Sequence, residues 1–424
     1  MPLLQKLLSG RIHFGQLTIV NASGATDHFG TATPGWPDVT LRLHTANAER
    51  RILLNPRLGL GEAYMDGAVS VDGDDIMGLV ELVRRNNPWE KGGEIGDPKL
   101  LKQLSNRLAG PLRQLNNLAR SKANVAHHYD LSNDFYRLWL DDDMQYSCAY
   151  WPDADMGDGG APQSAMTLDQ AQTFKKAHIA AKLALEPGQR VLDIGCGWGG
   201  MALYLNRVAG VEVLGITLSE EQLKLARERA QAAGVADKVH FELMDYRVLA
   251  QKARGYFDRI VSVGMFEHVG VPQFDTFFRA AANLMKDDGV MLLHTIGRMG
   301  KPGATDAFTR KYIFPGGYIP ALSETLAASE KAKLIATDIE NLRLHYALTL
   351  REWYRRVRAN REAIVTMMDE RFYRMWTFYL AGAAAAFESG GMCNHQYQFV
   401  RNRRALPISR DYMTESKKRY LAMG

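Results

Sequence analysis

The run Val191-Leu192-Asp193-Ile194-Gly195-Cys196-Gly197-Trp198-Gly199-Gly200 sets an acid at the end of an apolar strand and glycines in the turn before the next helix. Glycine suits such a turn because the backbone must reverse sharply and admit a ligand with no Cβ in the way. A glycine turn after a strand serves any nucleotide, but Asp193 tilts this one toward a cationic or hydroxylic ligand rather than a pyrophosphate. Asp245 ends a later strand and is followed by Tyr246, a pair able to accept from an adenine amino group and cover its ring. Glu267 follows a strand in GMFEHVG, and His294 sits in LLHTIG, both at the carboxyl edge where α/β sheets bind ligands. Singly, each has an ordinary explanation. His294 on an apolar strand reads as a hydrogen-bonded structural histidine, Glu267-His268 as a helix cap, and Cys148 in an aromatic run as a small buried side chain. His127 and His128 invite a metal reading, which is set aside because no Cys or acid stands at ligand spacing beside them.

These residues need elements to hold them. From about Thr167 the pattern alternates between helix and strand, the signature of a doubly wound α/β sheet. Strands are expected at Arg190 to Ile194, Val211 to Ile216, Val239 to Met244, Phe257 to Val263 and Val290 to Thr295. Helices are expected at Gln170 to Leu185, Glu220 to Ala233 and Pro272 to Met285, with Ser219 and Gln222 forming a capping box. Residues 1 to about 95 read as a small α+β unit, with strands at Gln16 to Val20 and Val39 to His44 and an amphipathic helix at Asp74 to Arg85. Between the two parts, leucines at 101, 104, 108, 112, 115 and 118 form a stripe with a cationic face. A Gly/Pro-rich insertion, Arg298 to Pro320, precedes a tail from Leu350 that reads as mainly helical.

The chain of 424 residues is 46% apolar and 23% charged, which excludes disorder as its main state. Basic residues exceed acidic ones by 52 − 47 = 5, too mild a surplus to announce a nucleic-acid partner. The surplus is local. From Arg351 to Gly424 there are fourteen Lys/Arg against seven Asp/Glu, and Lys99 to Lys122 holds six cations and no acid. Such stretches suit anionic phospholipid, and Arg355, Arg356, Arg358 and Arg361 read one by one as a solvated helix face and only as a whole as a candidate phosphate cluster. The cysteines, 148, 196 and 393, are three in number, which argues against a disulfide framework and for a reducing, cytoplasmic setting. With no run of about 20 apolar residues, membrane contact is expected to be peripheral.

The glycine loop with Asp193, Asp245 and Tyr246 resembles the class I S-adenosylmethionine-dependent methyltransferases, whose cofactor is a sulfonium cation without phosphate. One departure is Thr217, placed where most of that superfamily carries an acid for the ribose hydroxyls. The resemblance narrows at NVAHHYDLSNDFY from Asn124, MQYSCAYW from Met144, VSVGMFEHVG from Val261, LLHTIG from Leu292 and KYIFPGG from Lys311. In that order these motifs are similar to the cyclopropane-fatty-acyl-phospholipid synthases and their mycolic-acid relatives. The resemblance implies a mostly parallel seven-stranded sheet with helical C-terminal additions. It divides the chain into an N-terminal unit over 1–98, a basic linker over 99–123 and a catalytic domain over 124–424. The implied reaction moves a methylene group from S-adenosylmethionine to a cis double bond of a phospholipid acyl chain and closes a cyclopropane ring, with bound bicarbonate as base. The bicarbonate ligands implied are Glu267, His294 and Tyr346 with the amides of Cys148 and Ile296, Glu267 or His294 holding a proton. Cofactor contacts fall to Tyr146 and Ser147 near the methionine part, Asp193, Gly195 and Gly197 at the loop, Thr217 and Gln222 near the ribose, and Asp245 and Tyr246 at the adenine. An acyl tunnel would draw on Tyr312, Phe314, Tyr318 and the helix Phe372 to Phe387, and the family's homodimer would let one protomer grip the membrane. The alternatives are a different quench of the same cation, giving a branched methyl or methylene product, and a small-molecule N-methyltransferase.

Overall fold

The computed structural model of the chain describes residues 8–93, 131–157 and 161–424, so the basic leucine stripe and the pair His127 and His128 lie outside the described residues. Strands β1 (Gly15–Val20), β2 (Thr26–Thr31), β3 (Asp38–Leu43) and β4 (Val69–Val71) form a sheet in the order β2-β1-β3-β4. Alternate residues of β1 are buried, as a sheet covered on one face requires. Helices α1 (Ala46–Leu54), α2 (Pro56–Met65) and α3 (Ile76–Arg85) complete this unit. Helix α3 begins later than its apolar pattern suggests because Asp75 caps it, accepting from Gly78 N at 2.9 Å.

The larger sheet contains β5 (Arg190–Ile194), β6 (Glu212–Thr217), β7 (Val239–Leu243), β8 (Phe257–Val263), β9 (Met285–Arg298), β10 (Ile335–Asn341) and β11 (Met392–Val400), in the order β10-β11-β9-β8-β5-β6-β7. The run from β9 to β7 is parallel, and β11 lies antiparallel to both neighbours. Strand order therefore reverses between β5 and β8, and at such a switch point the carboxyl ends of neighbouring strands leave a crevice. The sheet is interleaved with α4 (Leu168–Lys182), α5 (Gly200–Ala209), α6 (Glu220–Ala232), α7 (Tyr246–Lys252), α8 (Phe274–Leu284) and α9 (Leu322–Lys331). Then come α10 (His345–Ala359), α11 (Arg361–Met367), α12 (Glu370–Glu388) and α13 (Asp411–Met423). Helix α12 packs against α10 on one side and against α2 and α3 of the N-terminal unit on the other. No helix among the described residues is long and apolar enough to cross a membrane.

The tail is mainly helical, as expected, and also holds β11, which lies between β10 and β9. One expectation needs correction. Ser219 caps α6, but Gln222 does not reciprocate: its Oε1 accepts from Thr217 Oγ1 at 2.9 Å. The full capping box belongs to α4, where Thr167 N donates to Gln170 Oε1 and Gln170 N to Thr167 Oγ1. The arginine cluster lies on a largely exposed face, as a solvated helix face would, and each member has a partner within the fold. Arg355 and Arg356 share Glu352, Arg358 donates to Gly73 O and Arg361 pairs with Glu370.

Candidate active site

The crevice at the switch point is a partly open cavity. All nine expected cofactor residues line it: Tyr146, Ser147, Asp193, Gly195, Gly197, Thr217, Gln222, Asp245 and Tyr246. Gly195 and Gly197 have φ of +84° and +53°, and beyond Gly197 the space a Cβ would enter is open. The loop thus exposes bare backbone where a ligand would lie. Asp193 is buried with Oδ2 unpartnered, and burial pushes its carboxyl up to about 7. An orphaned acid of this kind suits a ligand bearing an ammonium or hydroxyl group. Asp245 is less free than its position suggests, since it caps α7 and grips Arg247 at 2.7 and 2.8 Å. The Tyr246 ring meets Phe277 edge-on with centroids 5.3 Å apart, which fixes its plane at the cavity wall. Tyr146 is wedged among Tyr136, Trp139 and Trp353 with its hydroxyl 3.4 Å from that of Tyr379, an apolar wall that keeps water away.

None of the second expected set lines this cavity, but Cys148 follows the lining residue Ser147, Glu267 lies between Met265 and His268, and His294 O accepts from the lining residue Gly264 at 2.9 Å. Glu267, in the turn after β8, places Oε1 2.6 Å from the Ile296 amide on β9, which donates to it. Its Oε2 is buried without a partner, and burial pushes the carboxyl up to about 7. His294, two residues back on the same strand, accepts at Nδ1 from Gln396 Nε2 at 3.1 Å. Its Nε2 is buried and unpartnered, and burial holds the ring well below its ordinary value, hence neutral. With Nδ1 accepting, the proton resides on Nε2. Of the two candidate proton carriers, Glu267 is the one its surroundings favour in the protonated form. Cys148 is fully buried and its thiol is pushed strongly upward by burial, so it is no nucleophile. The segment carrying it is tied to α10 through Ala149 N to Thr349 Oγ1 at 3.1 Å and Trp151 N to His345 Nδ1 at 2.9 Å. Tyr346 lies at the start of that helix, its ring against Phe387 and its phenol close enough to Tyr146 to act on it.

Residues 116–397 match a family model described as mycolic acid cyclopropane synthetase, and residues 3–88 match a domain of unknown function. The cyclopropane-fatty-acyl-phospholipid synthase of Escherichia coli K12 is 39% identical over 374 residues, 88% of this chain and 90% of that protein. A probable fatty acid methyltransferase of Pseudomonas putida is 38% identical over 348 residues, 81% of this chain and 82% of that protein. The chain belongs to the mycolic acid cyclopropane synthetase family. Among solved structures, mycolic acid cyclopropane synthase CmaA1, complexed with SAH and CTAB, aligns with a TM-score of 0.59 at 33% identity, covering 66% of this chain and 97% of that one. Like the family, this cyclopropane synthetase homologue is a class I methyltransferase that uses S-adenosylmethionine, and the open glycine loop and orphaned Asp193 fit that co-substrate.

Sequence reasoning overlooked some residues of this synthetase homologue's site. Gln396 sets the His294 tautomer, yet it stands in a polar stretch with no motif to mark it. His268 lines the cavity beside Met265 and Val269, and burial pushes its imidazole down to about 4; it was visible in EHVG, though only Glu267 was given a role. The expected acyl lining divides. Phe314 meets Tyr379 of α12 with centroids 6.1 Å apart, and Tyr312 packs against that same core. Tyr318 instead belongs to the core around Phe274 and donates to Glu324 at 2.9 Å.

Proposed function

We propose that this methyltransferase moves a methylene group from S-adenosylmethionine to the cis double bond of an acyl chain in a membrane phospholipid and closes a cyclopropane ring. The observation that carries this reading is the buried pair Glu267 and His294 beside the donor cavity, each with one polar atom unpartnered and neither charged in the state its surroundings favour. The co-substrate supplies an electrophilic methyl group; an alkene is a feeble nucleophile, so the chain's part is to align the two and keep the site dry. The wall of Tyr146, Trp139 and Trp353 excludes water that would trap the carbocation formed on the acyl chain.

Bicarbonate, held by Glu267, His294, Tyr346 and the amides of Cys148 and Ile296, would supply the base that takes a proton from the added carbon. A neutral Glu267 carboxyl and the His294 Nε2–H are both donors, which suits an anion; an ionised carboxylate there would repel it. The Ile296 amide is shared with Glu267 Oε1, so the carboxyl and the anion compete for one donor. On this reading the protein works at the cytoplasmic face of the membrane, docked through its N-terminal unit and the Lys99 to Lys122 segment, as a homodimer.

The test is mass spectrometry of lipids after incubation with S-adenosylmethionine and vesicles of cis-unsaturated phospholipid. We expect a gain of one CH2 per reacted chain, with olefinic proton signals replaced by upfield ring protons. The same gain with an olefin retained, as a methylene or a methyl-branched alkene, would establish the sibling reaction, which the name of the Pseudomonas putida relative favours. No gain despite cofactor binding would sink both.

A further inference from the structure

The segment that follows Ser147 on the cavity wall is laced to its surroundings amide by amide. Ala149 N donates to Thr349 Oγ1 at 3.1 Å, Tyr150 N to Ala171 O of α4 at 3.1 Å and Trp151 N to His345 Nδ1 at 2.9 Å. The Trp151 indole also donates to Thr349 Oγ1 at 3.1 Å, and that hydroxyl in turn donates to His345 O at 2.8 Å. A stack of three rings holds His345 in its plane. Tyr150 lies 4.7 Å from it at 17° and 4.2 Å from His178 at 25°, and His178 Nε2 meets Glu340 Oε2 of β10 at 2.6 Å. Burial draws the His345 imidazole down to about 4, so the ring is neutral and Nδ1 is open to accept.

One amide is left over. Cys148 is fully buried, yet its N–H makes none of the described hydrogen bonds. A buried N–H without a partner is rare and costly, and a segment laced only for the sake of the fold would have no use for one. The side chains that lace it flank Tyr346 on the first turn of α10. Tyr346 packs on Trp353, which packs on Tyr146 of the cavity wall. We propose that His345 is a positioning residue for the anion that removes the proton: with Thr349 it clamps the amides of Ala149 and Trp151 to the first turn of α10, so that the idle Cys148 amide and Tyr346 are presented together as one preformed anion subsite. The inference rests on the proposed reaction with bicarbonate as its base.

Lipid alkylation measured at fixed pH in buffer freed of carbon dioxide, with bicarbonate added back in steps, tests it. His345→Leu keeps an apolar side chain of similar size without the acceptor. It is expected to need about tenfold more bicarbonate for half-maximal rate, yet to recover to within about threefold of the wild-type rate at saturating bicarbonate. Its affinity for S-adenosylhomocysteine by calorimetry should stay within about twofold of wild type. His345→Asn, whose amide oxygen can stand where Nδ1 stands, keeps the bicarbonate requirement within about threefold of wild type. Should the Leu variant fail to fold, Thr349→Val, which removes the acceptor of the Ala149 amide, gives the same comparison. An unchanged bicarbonate requirement in His345→Leu, an equal loss of S-adenosylhomocysteine affinity, or an Asn variant as impaired as Leu overturns the proposal. A wild-type enzyme that alkylates lipid at full rate without bicarbonate would sink the bicarbonate reading itself, and the proposal with it.

Discussion

On the proposed reading Glu267 has to remain uncharged, and its unpartnered Oε2 is buried. Its pKa rises from an ordinary 4.5 to about 7 in the folded protein. A raised acid costs nothing at low pH, where folded and unfolded chains are both protonated. The cost grows as pH climbs through 4.5, because the unfolded chain ionises first, and is complete above 7. At about 1.4 kcal/mol per unit the full penalty is on the order of 3 kcal/mol. Glu267→Gln removes the charge and keeps a donor. Its melting temperature relative to wild type is expected to rise steadily between pH 4.5 and 7.5 while lipid alkylation stays within a few-fold of wild type, because the amide keeps the donor; a melting difference independent of pH would show that Glu267 is not held neutral. Wild-type turnover should decline as pH passes upward through 7 if the neutral carboxyl is the working form.

The turn after β5 separates two glycines that look alike in sequence. A Cβ on Gly195 would lie 2.8 Å from Met265 Cβ, whereas one on Gly197 meets nothing within 4 Å. Gly197→Ala should therefore destabilise the fold only by the strain of its left-handed backbone, about 1 to 2 kcal/mol, while its Cβ crowds the co-substrate directly. Gly195→Ala adds a clash with Met265 on the cavity wall, and should lower the melting temperature further as well as lose tenfold or more in S-adenosylhomocysteine affinity by calorimetry. Equal losses of stability from the two substitutions would mean that backbone strain alone matters. The strands β5 to β9 and the cavity they build were legible because both faces of a parallel sheet are covered, leaving unbroken apolar runs such as RVLDI and MLLHTI between glycine turns. Strand β11 was not, because MCNHQYQFV offers Asn394, His395, Gln396 and Gln398 where a buried strand is expected to be apolar. All four are buried nonetheless, Gln396 against His294 and Gln398 against Tyr412 and the backbone of Lys182. Polar residues that satisfy one another across a core leave no periodic trace. Lys175 of α4, buried and donating to Gln145 and Ser147, was illegible for the same reason, a charge on a face that periodicity assigns only by its apolar neighbours.

Among its described residues the N-terminal unit contributes none to the donor cavity, yet it is seated firmly on the catalytic part. Gly61 of α2 is so close to the insertion and to α12 that a Cβ would stand 2.6 Å from the Phe308 ring and 2.8 Å from Phe378. The next residue, Glu62, accepts from Lys311 at 2.6 Å and from the Tyr312 hydroxyl at 2.9 Å. Gly61→Leu should unseat the unit, producing a second unfolding transition and faster trimming by protease. Lipid turnover is then expected to fall while S-adenosylhomocysteine affinity stays within twofold; a matching loss of affinity would mean the unit shapes the cavity after all. Strand β11 has a consequence for the molecule as it is made. It comes late in the chain yet occupies a place inside the sheet, covering the edge of β9 from Val290 to Arg298. During synthesis the whole length of β9, with His294 on it, waits without its partner until Val400 has emerged from the ribosome. An apolar edge left open is a template for another chain, so a nascent or prematurely terminated copy ending between β9 and β11 is a seed for aggregation rather than a smaller enzyme.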